Sequence, residues 1–313
     1  MTVPFLSVLC PVDFSEPSRA ALCYASAVAD HFGARMTVLA VDDPFLVEAA
    51  AASDTPLAAV TLKELKRFCG ETLPDCQAGP KKLEFRVAVG KPATEILRAA
   101  GDLHADLIVM SSQGRSGVRK MFFGSTTERV LRETSTPVLV TPDARPTTTS
   151  LSEIARQLHR VVAPVDLTVA STHQLSVAAG LAAAFSVPLI AAYVLEPIFI
   201  PYHVRMAIPG ADAERRTDAH ERLTRIAQTV APRARIEPIV VTGDPSEEIV
   251  KLAETRQANL IVMGLHSSTM LGPRMGSVTY RVLCRTRALV LALPPRTFTP
   301  GERRCEPAVT TMA

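Results

Sequence analysis

Residues 111–126, SSQGRSGVRKMFFGST, set Gly114 and Gly124 apart by nine residues, and Ser125, Thr126 and Thr127 follow directly. Arg115, Arg119 and Lys120 lie between the glycines. These residue types suit the binding of an anion. Glycine opens backbone conformations closed to other residues and lets a ligand approach closely. Gly124-Ser125 precedes a helical pattern, and the free N–H groups and positive dipole end of a helix favour a phosphate. Ser125 and Thr127 could add hydroxyl donors, and the three cations could neutralise charge. The same residues also fit a surface loop with solvated cations, in which Gly124 is only a turn before an N-capping Ser125. A short glycine motif does not decide between the two. The chain has no Walker loop, no G-x-G-x-x-G, no HEXXH and no G-x-S-x-G.

The elements that must hold this loop are written twice. CPVDFS at 10–15 matches APVDLT at 163–168, an offset of 153. The offset holds for GKPATEI at 90–96 against GDPSEEI at 243–249, and for ADLIVM at 105–110 against ANLIVM at 258–263. After the loop it becomes 152, with GSTTERVLRET at 124–134 against GSVTYRVLCRT at 276–286. This is a duplicated domain. The Pro/Thr/Ser-rich segment 142–150 reads as the linker. The expected units are residues 1–145, residues 155–295 and a polar, disordered tail at 296–313.

Within the first half, short apolar runs predict strands at 5–12, 35–41, 83–89, 105–110 and 137–141. Helical patterns predict helices from an N-cap at Ser15 to Gly33, over 54–73, over 92–103 with Pro92 in the first turn, and over 125–134. Strands this apolar are buried on both faces, which predicts a parallel sheet covered by helices. Each half is therefore expected to be a five-stranded doubly wound α/β domain.

Ligands of such sheets sit beyond the carboxyl ends of the strands, where the strand order reverses. The first strand ends at Pro11-Val12-Asp13, and the fourth ends at Met110 and enters the glycine loop at Ser111. If these strands are neighbours, Asp13 and the loop face one crevice. Asp13 also suits a helix entry. The second loop, GLHSSTMLGPRMGS at 264–277, differs in its middle. Gly264 is present, but Ser267 stands where the first copy has Gly114, and eight residues separate it from Gly276. One lost residue removes up to about 3.5 Å of reach, and Pro273 removes an N–H. Asp166, Gly276, Ser277 and Thr279 remain, Val194 answers Val41, and His266 lies in the loop. The second site is expected to bind more weakly, to take a smaller ligand or to stay empty. The alternative is that Gly272 restores the lost flexibility and the sites are equal.

Composition narrows the classes further. The 313 residues are 47% hydrophobic, 21% charged and 5% aromatic, with no Trp and a formal charge of +3. That charge is too small to imply a polyanion partner, and the aromatics are too few for base stacking on single strands, so no nucleic acid is expected. Six cysteines at 10, 23, 69, 76, 284 and 305 form no C-x2-C pair and read as reduced thiols. The start of the chain carries no basic leader, so a cytoplasmic protein is expected. Residues 175–195 are apolar enough to suggest a membrane span. However, Pro188 splits them and the equivalent stretch of the first half carries Asp30, His31 and Arg35. A buried helix followed by a buried strand is the better reading, and no membrane is expected.

The combination resembles the universal stress protein family in a tandem form covering nearly the whole chain. The family's loop, G-x2-G-x9-G-[ST] after a DLIVMG-like strand, is matched at Gly114, Gly124 and Ser125, with Ser111 replacing the first glycine. Its P-x-D-x-S strand end is matched by Pro11, Asp13 and Ser15, and its V-x-x-G-x-P element by Val87, Gly90 and Pro92. The resemblance implies Rossmann-like domains of strand order 3-2-1-4-5, packed as a pseudo-dimer through their last strands. It implies ATP, ADP or AMP, with Mg2+ as a companion ion, and a homodimer as a further option. Asp13 and the backbone near Val41 would hold adenosine, against a wall that includes Pro11 and Val12. Gly114, Arg115, Gly124, Ser125 and Thr127 would hold ribose and phosphates, with Met110, Ser111 and Thr126 beside them.

The leading functional expectation is a nucleotide-binding regulatory protein of the stress response with a downstream protein partner that the sequence does not name. A slow ATPase or autophosphorylating protein is the enzyme alternative. Efficient phosphoryl transfer needs a metal ligand and a group that orients the nucleophile, and nothing in the loop marks a general base. A structural or interaction module without nucleotide is the third class.

Overall fold

The structure, a computed structural model, describes residues 5–52, 56–73, 82–114, 124–142, 153–154, 157–197, 211–232, 235–265 and 275–295. Residues 143–150 of the linker and the tail 296–313 lie outside these residues. Strand β1 (Ser7–Pro11) shows why the fold is layered. Val8 and Cys10 enter one core and Leu9 the other, all three buried, so both faces need helices. Helix α1 (Glu16–Phe32) supplies cover on the first face. The Ser15 hydroxyl accepts from Ser18 N–H at 3.3 Å at its start, and Gly33 ends it in the left-handed region at φ 65°.

The first half continues with β2 (Arg35–Asp42), α2 (Pro44–Ala52), α3 (Leu57–Thr72), β3 (Leu83–Val89), α4 (Pro92–Asp102), β4 (Leu107–Ser111), α5 (Ser125–Glu133) and β5 (Val138–Thr141). The second half contains β6 (Val161–Pro164), α6 (Val169–Ala184), β7 (Leu189–Leu195), α7 (Ala211–Val230), β8 (Ile236–Thr242), α8 (Pro245–Thr255), β9 (Leu260–Gly264), α9 (Ser277–Arg285) and β10 (Leu289–Leu293). Each half has the five-strand order 3-2-1-4-5, and the two join into one ten-stranded sheet, β3-β2-β1-β4-β5-β10-β9-β6-β7-β8. All pairings are parallel except β5 with β10. One core lies under α1, α3, α6 and α7, and the other under α4, α5, α8 and α9.

Two contacts locate an approximate two-fold axis. Leu139 of β5 pairs with Leu291 of β10, and these are equivalent positions in the repeat. The equivalent residues Phe32 and Phe185 also meet edge to face at 5.7 Å, with His31 stacked on Phe185 at 4.3 Å. Only a symmetric pairing brings a residue against its own counterpart, so the halves form an internal pseudo-dimer.

Helix α2 was not expected from the sequence. Its nine residues, PFLVEAAAA, have no polar face and bury none of their side chains, so no periodicity marks them. Asp43 Oδ1 accepts from Phe45 N–H at 2.8 Å and starts the helix locally. The first strand is shorter than expected, because Phe5 and Leu6 precede the ladder. Cys10, Cys23 and Cys69 are buried thiols, and burial pushes Cys10 well above its usual range, with Cys69 and Cys23 nearby adding to the effect. Among the described residues, no single helix is long and apolar enough to cross a membrane.

Candidate functional site

The site begins where two strands part. β1 keeps register with β2 as far as Pro11 against Leu39, but pairs with β4 only at Val8–Leu107 and Leu9–Ile108. Beyond Leu9 the two strands diverge, which is the reversal point of the sheet. Pro11 is half-buried, Val12 is buried and donates to Leu39 O at 2.9 Å, and Met110 is buried across the gap. Val41 is half-buried one strand away, opposite Ala88 of β3.

Asp13 follows at the mouth of this gap. Its Oδ1 accepts from Ser15 N–H at 3.1 Å and Ser15 Oγ at 2.5 Å, which holds the side chain at the entry to α1. Phe14, at φ 63°, makes the turn and lays its ring edge on Phe68 of α3. The other carboxylate oxygen reaches the glycine loop, since a Cβ on Gly114 would stand 2.7 Å from Asp13 Oδ2. Gly114 therefore serves close approach. Its φ lies outside the left-handed region, so the expected need for an unusual backbone conformation does not apply there.

The loop closes at its base through Gly124 N–H to Ser112 O at 3.0 Å, and Ser112 N–H donates to Thr141 O at 3.3 Å. A Cβ on Gly124 would lie 3.6 Å from Gly114 N, so the two glycines face each other across the neck. Ser111 Oγ donates to Gln113 O at 2.5 Å. Thr127 is buried and donates to Ser111 O at 2.9 Å, so this hydroxyl ties α5 to the end of β4. Ser125 is exposed and Thr126 half-buried at the start of α5, whose N-cap residue, Gly124, has no side chain with which to cap the helix N–H groups. Asp13, Ser111, Gly114, Gly124 and the α5 N-terminus are thus drawn to one crevice. Arg115, Arg119 and Lys120 lie outside the described residues.

The second copy repeats the frame. β6 pairs with β9 only at Val161–Leu260 and Val162–Ile261. Gly276 N–H donates to Leu265 O at 2.8 Å, Thr279 Oγ1 donates to Gly264 O at 2.8 Å, and Ser277 opens α9, again without a side-chain cap. Val194 is half-buried opposite Val241. His266 lies outside the described residues. Asp166 keeps from Thr168 the two contacts that Asp13 has from Ser15, and adds one from Ser171. Its Oδ1 accepts from Thr168 N–H at 3.1 Å, Thr168 Oγ1 at 2.5 Å and Ser171 Oγ at 2.6 Å. Burial pushes this carboxyl up, but the hydrogen bonds from Ser171 and Thr168 outweigh it and hold it below the usual range.

Sequence reasoning missed Gln174. Its amide donates to Pro164 O at 2.5 Å and to Val262 O at 2.9 Å. It spans the gap between the diverging strands β6 and β9, at the root of the second crevice. The equivalent residue of the first half is Ala21, which is fully buried and cannot reach across. The available signal was a glutamine where the first copy of the repeat has an alanine.

Comparison with known proteins agrees with this frame. The sequence pattern of the Universal stress protein family matches residues 4–142 and again residues 157–294. The chain belongs to the universal stress protein family. A universal stress protein of Thermus aquaticus is 30% identical over 141 residues, covering 44% of this chain and 98% of the relative. Universal stress protein MJ0577 of Methanocaldococcus jannaschii is 29% identical over 156 residues, covering 45% of this chain and 96% of the relative. Such relatives match about half of this chain, as expected of a tandem member. Among solved structures, a universal stress protein of Archaeoglobus fulgidus superposes with a TM-score of 0.63 at 20% identity, covering 92% of this chain and 98% of its own. One from Pseudomonas aeruginosa reaches 0.63 at 16% identity, covering 93% and 94%. These two likenesses concern the fold.

Proposed function

We propose that the first half of this universal stress protein binds an adenine nucleotide, ATP in the first instance. The phosphates would meet the N-terminus of α5 at Gly124-Ser125, and Asp13 would face the ribose. The observation that carries this reading is the neck formed by Asp13, Gly114 and Gly124. A side chain at Gly114 would strike Asp13 Oδ2, and one at Gly124 would fill the space before the helix. The chain keeps both positions bare beside helix N–H groups suited to phosphate. Arg115, Arg119 and Lys120 would add positive charge, and Mg2+ would accompany the nucleotide. The second half, with Asp166 bound up by Ser171 and its gap bridged by Gln174, binds more weakly or not at all. The protein acts as a nucleotide-dependent regulator of the stress response in the cytoplasm, not as a high-turnover enzyme. Denaturing the purified protein and analysing the released small molecules tests this. An adenine nucleotide is the expected finding. If none is released and the protein takes up none on titration, the reading fails.

A further inference from the structure

The ten-stranded sheet ends in β3 on one side and β8 on the other, and the two edges are finished differently. Met36 N–H donates to Lys82 O at 2.9 Å and Gly90 N–H donates to Asp42 O at 3.0 Å, with the register between β2 and β3 unbroken from Leu83 to Val89. The even-numbered residues of β3 therefore bond to β2, and Leu83, Phe85, Val87 and Val89 turn their N–H and C=O groups to the open edge. In the second half Gly243 N–H donates to Leu195 O at 3.2 Å, so the odd-numbered residues of β8 bond inward and Pro238 faces outward. Pro238 is the equivalent of Phe85 and has no N–H to offer, which blunts that edge. The β3 edge carries no such guard. Its Leu83 and Phe85 pack against the core under α1 and α3, while Glu84 and Arg86 point to the opposite face and are exposed. Among the described residues neither charge forms an ion pair, whereas Glu237, the equivalent of Glu84, meets Arg256 at 2.9 Å. Ile239 stands where the first half has Arg86.

We propose that β3 pairs antiparallel with β3 of a second copy of this chain, about a two-fold axis at Phe85, and so joins two chains through one continuous sheet. This register sets Phe85 opposite Phe85 of the second copy and Leu83 opposite its Val87, all residues whose N–H and C=O groups face the edge. It also sets Glu84 opposite Arg86 of the second copy, and Arg86 opposite its Glu84, at the non-hydrogen-bonded positions where side chains approach most closely. An axis at residue 84 or 86 would keep the backbone pairing but would set Glu84 against Glu84, or Arg86 against Arg86, and like charges directly opposite are destabilising. Charge thus selects both the register and an identical strand as the occupant. With Pro238 blocking the far edge, assembly stops at two chains and does not grow into a filament.

Sedimentation equilibrium of the full-length protein tests this. The mass is expected to rise from one chain toward two with concentration, as suits a small, reversible interface. A single-chain mass up to about 1 mM overturns the inference. Phe85→Pro copies the residue of the second half and should abolish the dimer, since it removes an N–H that the ladder to β2 does not use. A dimer that persists in this variant would place the contact elsewhere, such as on the exposed Phe45 and Leu46 of α2, and overturns the inference. If Phe85→Pro does not fold, Glu84→Arg and Arg86→Glu decide. Each alone should be monomeric, because like charges then face each other across the axis. An equimolar mixture of the two should dimerise, since every facing pair is again opposite in sign, and the double variant should dimerise as well. Single variants that dimerise as tightly as the wild type, or a mixture that stays monomeric, overturn the inference.

Discussion

Gly124 has φ −59° and ψ 136°, a conformation open to any residue, and a Cβ there would meet only ordinary contacts. The protein itself therefore tolerates a side chain at this position. Gly124→Val should melt like the wild type yet bind ATP on the order of tenfold more weakly; unchanged affinity in calorimetry would place the phosphates elsewhere. Gly114 differs, because its Cβ would strike Asp13. Gly114→Ala should cost about 1 kcal/mol of stability as well as affinity, and a melting temperature equal to wild type would contradict the close approach. Asp166 yields a pH-dependent prediction. A carboxyl depressed in the folded state adds stability above the ordinary carboxylate pKa of about 3.9, and that stability is lost as pH falls through the folded value. Ser171→Ala should therefore destabilise the second half most at neutral pH, with the difference from wild type shrinking below pH ~4; a constant difference in acid melts would count against it. Asp13 and Gly124 were legible because they repeat in the chain as Asp166 and Gly276, and Gly114 because its spacing from Gly124 fits the family's loop. Gln174 was not, since it acts through contacts with two strands that only the fold brings together.

At the scale of elements, the alternation of apolar strands and capped helices was readable almost throughout. Ser15, Gly33 and Pro92 mark helix ends whose chemistry is local, and the structure uses each of them. Helix α2 was not readable, because it packs no face and so carries no period. The edge pairing of β5 with β10 depends on both halves, yet its motive is visible in the sequence: an apolar edge strand left open invites association. Val138, Leu139 and Val140 are buried in the intact chain. Residues 1–145 expressed alone should therefore dimerise or aggregate in sedimentation, and a soluble monomer would show that the pairing is dispensable.

At the scale of the molecule, duplication provides two frames with different contents. The first crevice sets a glycine against Asp13 and an alanine at its root. The second adds Ser171 to the contacts on Asp166 and closes its root with Gln174. On the proposed reading the chain is a symmetric scaffold with one nucleotide site, its second half serving chiefly to cover the β5 edge. The most direct test is the stoichiometry of ATP binding in solution, measured on the wild type and on Asp13→Ala and Asp166→Ala. One tight site per chain is expected, lost or weakened in Asp13→Ala and kept in Asp166→Ala. Two sites of equal affinity, each removed by its own substitution, would contradict the account.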